Sequence, residues 1–519
     1  MIGLSPLTHV LTPMQPTILI GLVIYACLML AVSVFWMIRV KQTTDYLMAG
    51  RGLPWWILTG TITATGIGTG VVIGASGVAY EHGWAGSAYP IGLGIGTIAA
   101  GLLFARMRRF QFITLGEEVA SYYGDNRVVV EFSNLSLFAS QLCWLTVQIM
   151  GGGAVLGVVT GLPPEVCILG AGLVTAGISI PGGLKTVAYT DTLQAIILLI
   201  GLGCLTYSAL DHSGGLAGLR ESVPPDYVSF LGVDSFGTWE VVNLMLVLML
   251  SVIADPGRRL SMYSALSSAG AKWSMVLSGL IIVAFAGVIG IIGMYAFTLN
   301  PNLGVRDQAV PWLIINVLPP WLGAFVVVSI ASAAFSSAST NAITAGTFFV
   351  RHIYPLATGG RSAKRPLVAT RRALICAFVL STAVALKAGT VTGFVLKFLP
   401  LTVSGLAVII LVGFFWRRAT WQGAVAALMT TPLVSLAITW IPAQADFWNN
   451  PTVPATVAGL GVHIVISLLT PRPTRTFEET AEALSHQREA SLSAHESHPP
   501  VHPQPDLGPS DLRLKASAT

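Results

Sequence analysis

Residues 330–347 read Ile330-Ala-Ser-Ala-Ala-Phe-Ser-Ser-Ala-Ser-Thr-Asn-Ala-Ile-Thr-Ala-Gly-Thr347. With its apolar flanks the run is long enough for a membrane-crossing helix, yet it is crowded with hydroxyls. Small side chains let helices approach closely in lipid. Hydroxyl oxygens and free carbonyls are also what a hard cation such as Na+ accepts in place of water. Ala333, Ser336 and Ser337 fall at i, i+3 and i+4 and share one helix face. Spacing alone leaves two readings open: an ion site on that face, or serines bonded back to the carbonyl four residues earlier.

The rest of the chain supports a membrane setting. Of 519 residues, 54% are hydrophobic and 10% charged, with mean hydropathy +0.74. Soluble domains carry about 25% charged residues, so composition predicts an integral membrane protein in contact with the lipid bilayer. About thirteen apolar segments have the length of a span. They lie near 16–39, 55–79, 84–105, 129–158, 163–181, 188–209, 239–256, 273–298, 320–350, 371–388, 392–416, 420–441 and 453–470. With the N-terminus outside, most basic residues fall in inner loops, including Arg106, Arg108, Arg109, Arg258, Arg259, Arg371 and Arg372, whereas Arg220, Arg306, Lys387 and Lys397 fall outside. That bias follows the positive-inside rule, so the net charge of +5 reflects topology and implies no nucleic acid. Met1 to Gln15 lacks the basic start of a cleavable signal peptide. The five cysteines sit in apolar segments without metal-type spacing and read as packing residues. No Walker loop, HExxH or nucleophile elbow is present. An ATP-driven pump or a membrane hydrolase is therefore not expected, nor is an enzyme or an organic cofactor.

Four further features carry chemistry. The second segment, Trp55-Trp-Ile-Leu-Thr-Gly-Thr-Ile-Thr-Ala-Thr-Gly-Ile-Gly-Thr-Gly-Val-Val-Ile-Gly-Ala-Ser-Gly77, places Gly66, Gly68 and Gly70 in mid-span. Each glycine weakens a helix by about 1 kcal/mol relative to Ala, so the segment either unwinds there or packs closely through its glycines. Ala254-Asp255-Pro256-Gly257-Arg258-Arg259 ends the seventh segment, either as a cap with basic anchors or as a second broken helix. Matching breaks in two halves mark the binding site of transporters with inverted repeats. Asp191 opens the sixth segment, as a helix cap or as a carboxylate behind a cation site. Lys397 lies in an apolar stretch, where it either snorkels to the surface or lines a solute path.

These residues meet a known pattern. Asp45-Tyr-Leu-Met-Ala-Gly-Arg-Gly-Leu-Pro-Trp-Trp56, Gly182-Gly-Leu-Lys-Thr-Val-Ala-Tyr-Thr-Asp-Thr-Leu-Gln194, and Ser336-Ser337 followed by Arg351-His-Ile-Tyr354 resemble, in order, signature elements of the sodium/solute symporter family. Asp255-Pro256 is similar to the Gln-Pro element of some members. The resemblance spans about residues 16–470. It implies an all-α polytopic fold of the leucine-transporter type: ten core helices in two inverted repeats of five, each with a broken first helix, plus flanking helices. It also implies Na+-coupled uptake of a small polar organic solute. By the same resemblance the Na+ ligands fall on the carbonyls of Ala64, Ile67 and Ala333 and the hydroxyls of Ser336 and Ser337, with Asp191 supporting them. The solute path is expected along Gly66, Gly68, Gly70, Asp255 and Lys397. Sugar-transporting members carry Asn, Glu and Gln where this chain has Gly66, Gly70 and Val71, and the Arg usual after Gln-Pro is Ser261 here. A sugar held in that way is not expected.

The expected organisation is an N-terminal helix and entry loop (1–54), a first repeat (55–209), an outer loop (210–238), a second repeat (239–418), two flanking helices (419–470) and a disordered cytoplasmic tail (471–519). The expected location is the plasma (inner) membrane. Proton coupling or exchange on the same fold, and a transporter-like sensor, are the alternatives.

Overall fold

The computed structural model describes residues 16–39, 51–359, 363, 366–448 and 450–496. Asp45 to Gly50, the start of the first signature element, lie outside them. The described chain is helical nearly throughout, and its one β contact is an isolated bridge between Leu53 and Ala265. In order the main helices are α1 (Pro16–Arg39), α2 (Trp55–Gly66), α3 (Ser76–His82), α4 (Ala88–Phe104), α5 (Leu115–Tyr122), α6 (Arg127–Thr160), α7 (Pro164–His212), α8 (Thr238–Ile253) and α9 (Pro256–Tyr263). Then follow α10 (Ser268–Ala284), α11 (Ala286–Leu299), α12 (Pro320–Phe348), α13 (Pro366–Ala385), α14 (Val391–Phe415), α15 (Trp421–Trp440), α16 (Thr452–Leu469) and α17 (Phe477–Glu496).

Local chemistry sets the boundaries. Proline opens α7, α9 and α12, where its missing N–H costs nothing. Asn126, Ser267, Thr390 and Thr420 each cap a helix through a side-chain oxygen. Gly161, with φ +67°, ends α6.

Nine helices among the described residues are long and apolar enough to cross a membrane, or ten if α8 and α9 form one span bent by 42°. Pro16–Ala31 and Pro164–Ile180 are apolar but shorter. Among the described residues the expected number of thirteen spans is not confirmed. One reason is the second segment, which stops at Gly66 after 12 residues, while its remainder joins the third in the continuous run Gly70–Phe110.

Packing relies on small residues. α4 crosses α10 so closely that a Cβ on either Gly94 or Gly279 would lie 2.7 Å from the carbonyl of the other. Without a hydrophobic force between helices in lipid, such close backbone approach holds the bundle together. The hydroxyl-rich α12 sits at the centre: from Ile330 to Phe348 every residue is buried. It meets α7 through Ser329 Oγ, which donates to the Ile197 carbonyl at 3.1 Å, and through the Ser179–Ser339 hydroxyl pair at 2.8 Å. The bundle's outer surface exposes Leu173, Leu433, Trp440 and Leu469, as expected where lipid is the solvent.

The tail differs from expectation. Instead of starting a disordered segment, Thr476 and Glu479 form a reciprocal cap, with Thr476 N–H donating to Glu479 Oε2 at 2.9 Å and Glu479 N–H donating to Thr476 Oγ1 at 3.3 Å. α17 follows, and Phe477 packs on Phe110 and Tyr122 with ring centroids 5.1 Å apart in each pair. Residues 497–519 lie outside the described part.

Candidate functional site

α2 ends where its glycines begin. Ile67 leaves helical geometry (φ −98°, ψ 50°), and the chain resumes as a π-helical turn over Gly70–Ala75. The break diverts donors from their helical carbonyls. Thr69 N–H, which would serve Thr65, donates instead to Gln148 Oε1 at 3.1 Å, joined by the Thr69 hydroxyl at 2.7 Å. Val71 N–H, which would serve Ile67, donates to the Gly68 carbonyl at 3.0 Å. Gly68 is needed for close approach: a Cβ there would lie 2.7 Å from Ser337 Oγ and 3.0 Å from Gln148 Oε1.

α12 meets this opening. Ser337 Oγ donates to the carbonyls of Ala64 (3.5 Å) and Thr65 (3.3 Å). Beside it the Ser336 hydroxyl and the Asp191 carboxylate are buried against each other, with no other hydrogen-bond partner. Asp191 therefore does not cap its helix. α7 is pinned to α2 on either side of it: Thr61 Oγ1 donates to the Ala188 carbonyl at 3.1 Å, and Thr192 Oγ1 to the Ile57 carbonyl at 3.1 Å. Ala333 is buried one turn earlier on α12. The structure thus gathers carbonyls, hydroxyls and one carboxylate around the break. That is the all-oxygen donor set a hard cation such as Na+ takes.

The second break is built differently. Asp255 caps α9, its Oδ1 accepting from Gly257 N–H at 2.8 Å, while Oδ2 accepts from Arg258 Nη1 at 2.7 Å. Cap and break are one object here. α9 is buried along its whole length, with Arg258 5% and Arg259 1% exposed. The expectation of two basic anchors in a loop is corrected by this burial. Each guanidinium has a carboxylate that makes burial tolerable. Arg259 lies over the Phe104 ring at 3.6 Å and faces Glu118 Oε1 at 3.5 Å. Glu118 also accepts from the hydroxyls of Tyr122 (2.8 Å) and Tyr263.

Between the two breaks lies a cavity of about 20 Å³, room for about one water. Thr65, Gly66, Gly68 and Gly70 line it from the first break, and Asp255 and Arg258 from the second. Val71, Tyr89, Leu93, Trp144, Gln148 and Asn341 complete the wall. Four of the five expected path residues therefore meet. Lys397 does not: it is exposed on α14 and absent from the cavity wall. Sequence reasoning missed Arg258 as a cavity residue, together with Gln148, Asn341 and Tyr89. A signal existed for two of these, since Gln148 and Asn341 are amides inside apolar segments.

Beyond α3 the bundle is tied by charge. Arg306 Nη1 meets Glu81 Oε2 at 2.6 Å, and Asp307 Oδ2 accepts from Val391 N–H at 2.7 Å. Burial pushes the Asp307 carboxyl up to about 6, outweighing that N–H and Arg306, with Glu81 adding to the rise.

Residues 46–431 match the family model described as Sodium:solute symporter family. The chain is similar to a sodium/glucose cotransporter of Vibrio parahaemolyticus, at 25% identity over 79% of this chain and 82% of the relative. It is similar to a sodium/pantothenate symporter of Escherichia coli K12, at 24% identity over 87% and 96%. A solved structure of a Na+-coupled sialic acid symporter, in a substrate-bound outward-open state, superposes with TM-score 0.72 at 18% identity, covering 88% of this chain and 98% of that one. The fold is that of leucine-transporter-type symporters.

Proposed function

The chain belongs to the sodium:solute symporter family, a family of membrane transporters and not enzymes, and we propose that it takes up a small polar organic solute coupled to Na+ by alternating access. The observation that supports this reading is the meeting of Ser337 with the Ala64 and Thr65 carbonyls at the first break, beside the buried Ser336 hydroxyl and Asp191 carboxylate. In this reading Na+ is taken by the carbonyls of Ala64, Ile67 and Ala333 and the hydroxyls of Ser336 and Ser337, with Asp191 behind them. The solute takes the neighbouring space beside Gly66, Gly68, Gly70 and Asp255, which widens from its one-water volume as the helices part.

Coupling requires that Na+ favour one conformation over another. A helix break supplies that preference. Its open carbonyls need a partner, and bringing α12 against α2 offers them Na+ in one arrangement and only the Ser337 hydroxyl in the other. Residues 55–209 and 239–418 serve as the two repeats, since each begins with a broken helix, and the basic loops support an N-terminus on the outer side of the membrane. Relatives named for glucose and pantothenate leave the solute open within small polar organics.

The test is uptake into proteoliposomes across a Na+ gradient. Ser337→Ala is expected to raise the half-saturating Na+ concentration by about tenfold, a loss of about 1.4 kcal/mol for one neutral oxygen ligand. Uptake by the variant with unchanged Na+ dependence would remove Ser337 from the site. Uptake driven equally well by a proton gradient without Na+ would replace Na+ coupling with proton coupling.

A further inference from the structure

The cavity between the breaks contains two buried donors that lack an acceptor. Arg258, 5% exposed, spends Nη1 on Asp255, but its Nε has no partner. Tyr89 is fully buried and its hydroxyl has no partner. That hydroxyl stands across from Gly70, where a Cβ would come within 2.6 Å of it. The Arg258 Nη2 group edges the first break, 3.5 Å from where a Cβ on Gly66 would sit. Asp255, the acid facing the same space, already has both oxygens engaged by Gly257 N–H and Arg258. On the Arg258 side of the wall that acid is spent, and what this side offers is a guanidinium edge with a hydroxyl nearby. Buried polar groups normally find partners, and an unmet charged donor is the most costly kind to leave.

We infer that the transported solute carries a carboxylate, held by the free edge of Arg258 with help from the Tyr89 hydroxyl. This rests on the symport reading above and narrows it. The guanidinium fork matches a carboxylate bidentately, which an ammonium cannot do. Charge also favours the match. The Asp255–Arg258 pair is neutral as a unit, so a carboxylate entering alone adds one negative charge to a buried space. Na+ taken at the adjoining break adds one positive charge. Loading both leaves the charge of the site unchanged, which gives Na+ an electrostatic reason to raise solute affinity.

The experiment is a thermal-shift screen of the purified full-length protein, each compound in NaCl and in KCl. The compounds are monocarboxylates of about two to eight carbons, their primary amides, α-amino acids on the same skeletons, and sugars and polyols. A carboxylate-bearing compound is expected to stabilise the folded state by mass action at concentrations at least tenfold below its amide. Monocarboxylates and amino acids separate a simple anion from a zwitterion as the source of the carboxylate. Arg258→Gln is expected to weaken the response by about 10- to 100-fold, the range for a hydrogen bond to a charged group, and Arg258→Lys less. Because Arg258→Gln strands Asp255, the pair Asp255→Asn with Arg258→Gln serves as the second variant, keeping a capping side chain while removing both charges. An amide, sugar or polyol that stabilises as well as any acid overturns the inference, as does a carboxylate response that survives in both variants. Arg258-dependent carboxylate binding that ignores Na+ would sink the symport reading and leave this one. Na+-dependent binding of an uncharged solute would do the reverse.

Discussion

The two helix breaks face one cavity but are held open by opposite means. The break after α2 contains no charge. It is kept open from outside by Gln148 of α6 and Ser337 of α12, which take the N–H and the carbonyls that the helix has released. The break before α9 is self-contained, because Asp255 caps the new helix and neutralises Arg258 three residues later. An opening held by neighbouring helices responds when those neighbours move. One that carries its own cap and counter-charge does not need them. The first break has the features of a conditional site and the second those of a fixed one.

Asp255→Ala attacks the fixed break and carries the largest expected effect. It removes a cap worth about 1 kcal/mol and strands a buried guanidinium, a change of about 3–5 kcal/mol. Thermal unfolding should shift down strongly with or without Na+, and Asp255→Asn should recover the cap portion alone. A variant as stable as the parent would show that the second break does not depend on its own acid.

A titratable tether distinguishes the breaks next. The helix beyond the first break leans on Asp307, whose Oδ1 would lie 3.1 Å from a Cβ at Gly77. Burial lifts the Asp307 carboxyl from its ordinary 3.8 to about 6. The folded protein therefore keeps a proton that the unfolded chain releases. The stabilisation from that proton is full below about pH 4 and is lost as pH rises through about 6, a swing of about 2–3 kcal/mol. Asp307→Asn should flatten stability across that window. An unchanged pH profile in the variant would place the titration elsewhere.

What could be read from the sequence follows the same division. The first break was legible because Gly66, Gly68 and Gly70 act through local backbone energetics, and the serine face of α12 because Ser336 and Ser337 lie three and four residues after Ala333. Asp-Pro-Gly announced the second break just as locally. The burial of Arg258 and Arg259 was not legible. Charges after a break resemble a span edge, and Glu118, the partner of Arg259, lies far back in the chain on α5. Lys397 was left open between surface and path for a related reason: an apolar neighbourhood does not say which face of α14 packs inward. The tail helix was signalled by Thr476 and Glu479 at capping-box spacing, but the polar composition of residues 471–519 outweighed a motif four residues long.

Gln148→Ala tests the conditional break, with the smallest effect on stability and the sharpest on coupling. Its loss leaves the Thr69 N–H and hydroxyl without their shared acceptor, about 1–2 kcal/mol for buried donors. The nearest remedy is for Thr69 N–H to return to the Thr65 carbonyl and rebuild the helical turn. That would take the Thr65 carbonyl from Ser337 and, as Val71 N–H follows back to Ile67, take the Ile67 carbonyl from Na+. Stability should therefore fall only slightly without Na+, while the stabilisation that Na+ confers on the parent should shrink. Amide exchange at residues 65–71 should slow as the turn re-forms. If the Na+ response persists at full size in Gln148→Ala, the first break is as self-supporting as the second, and the contrast between them fails.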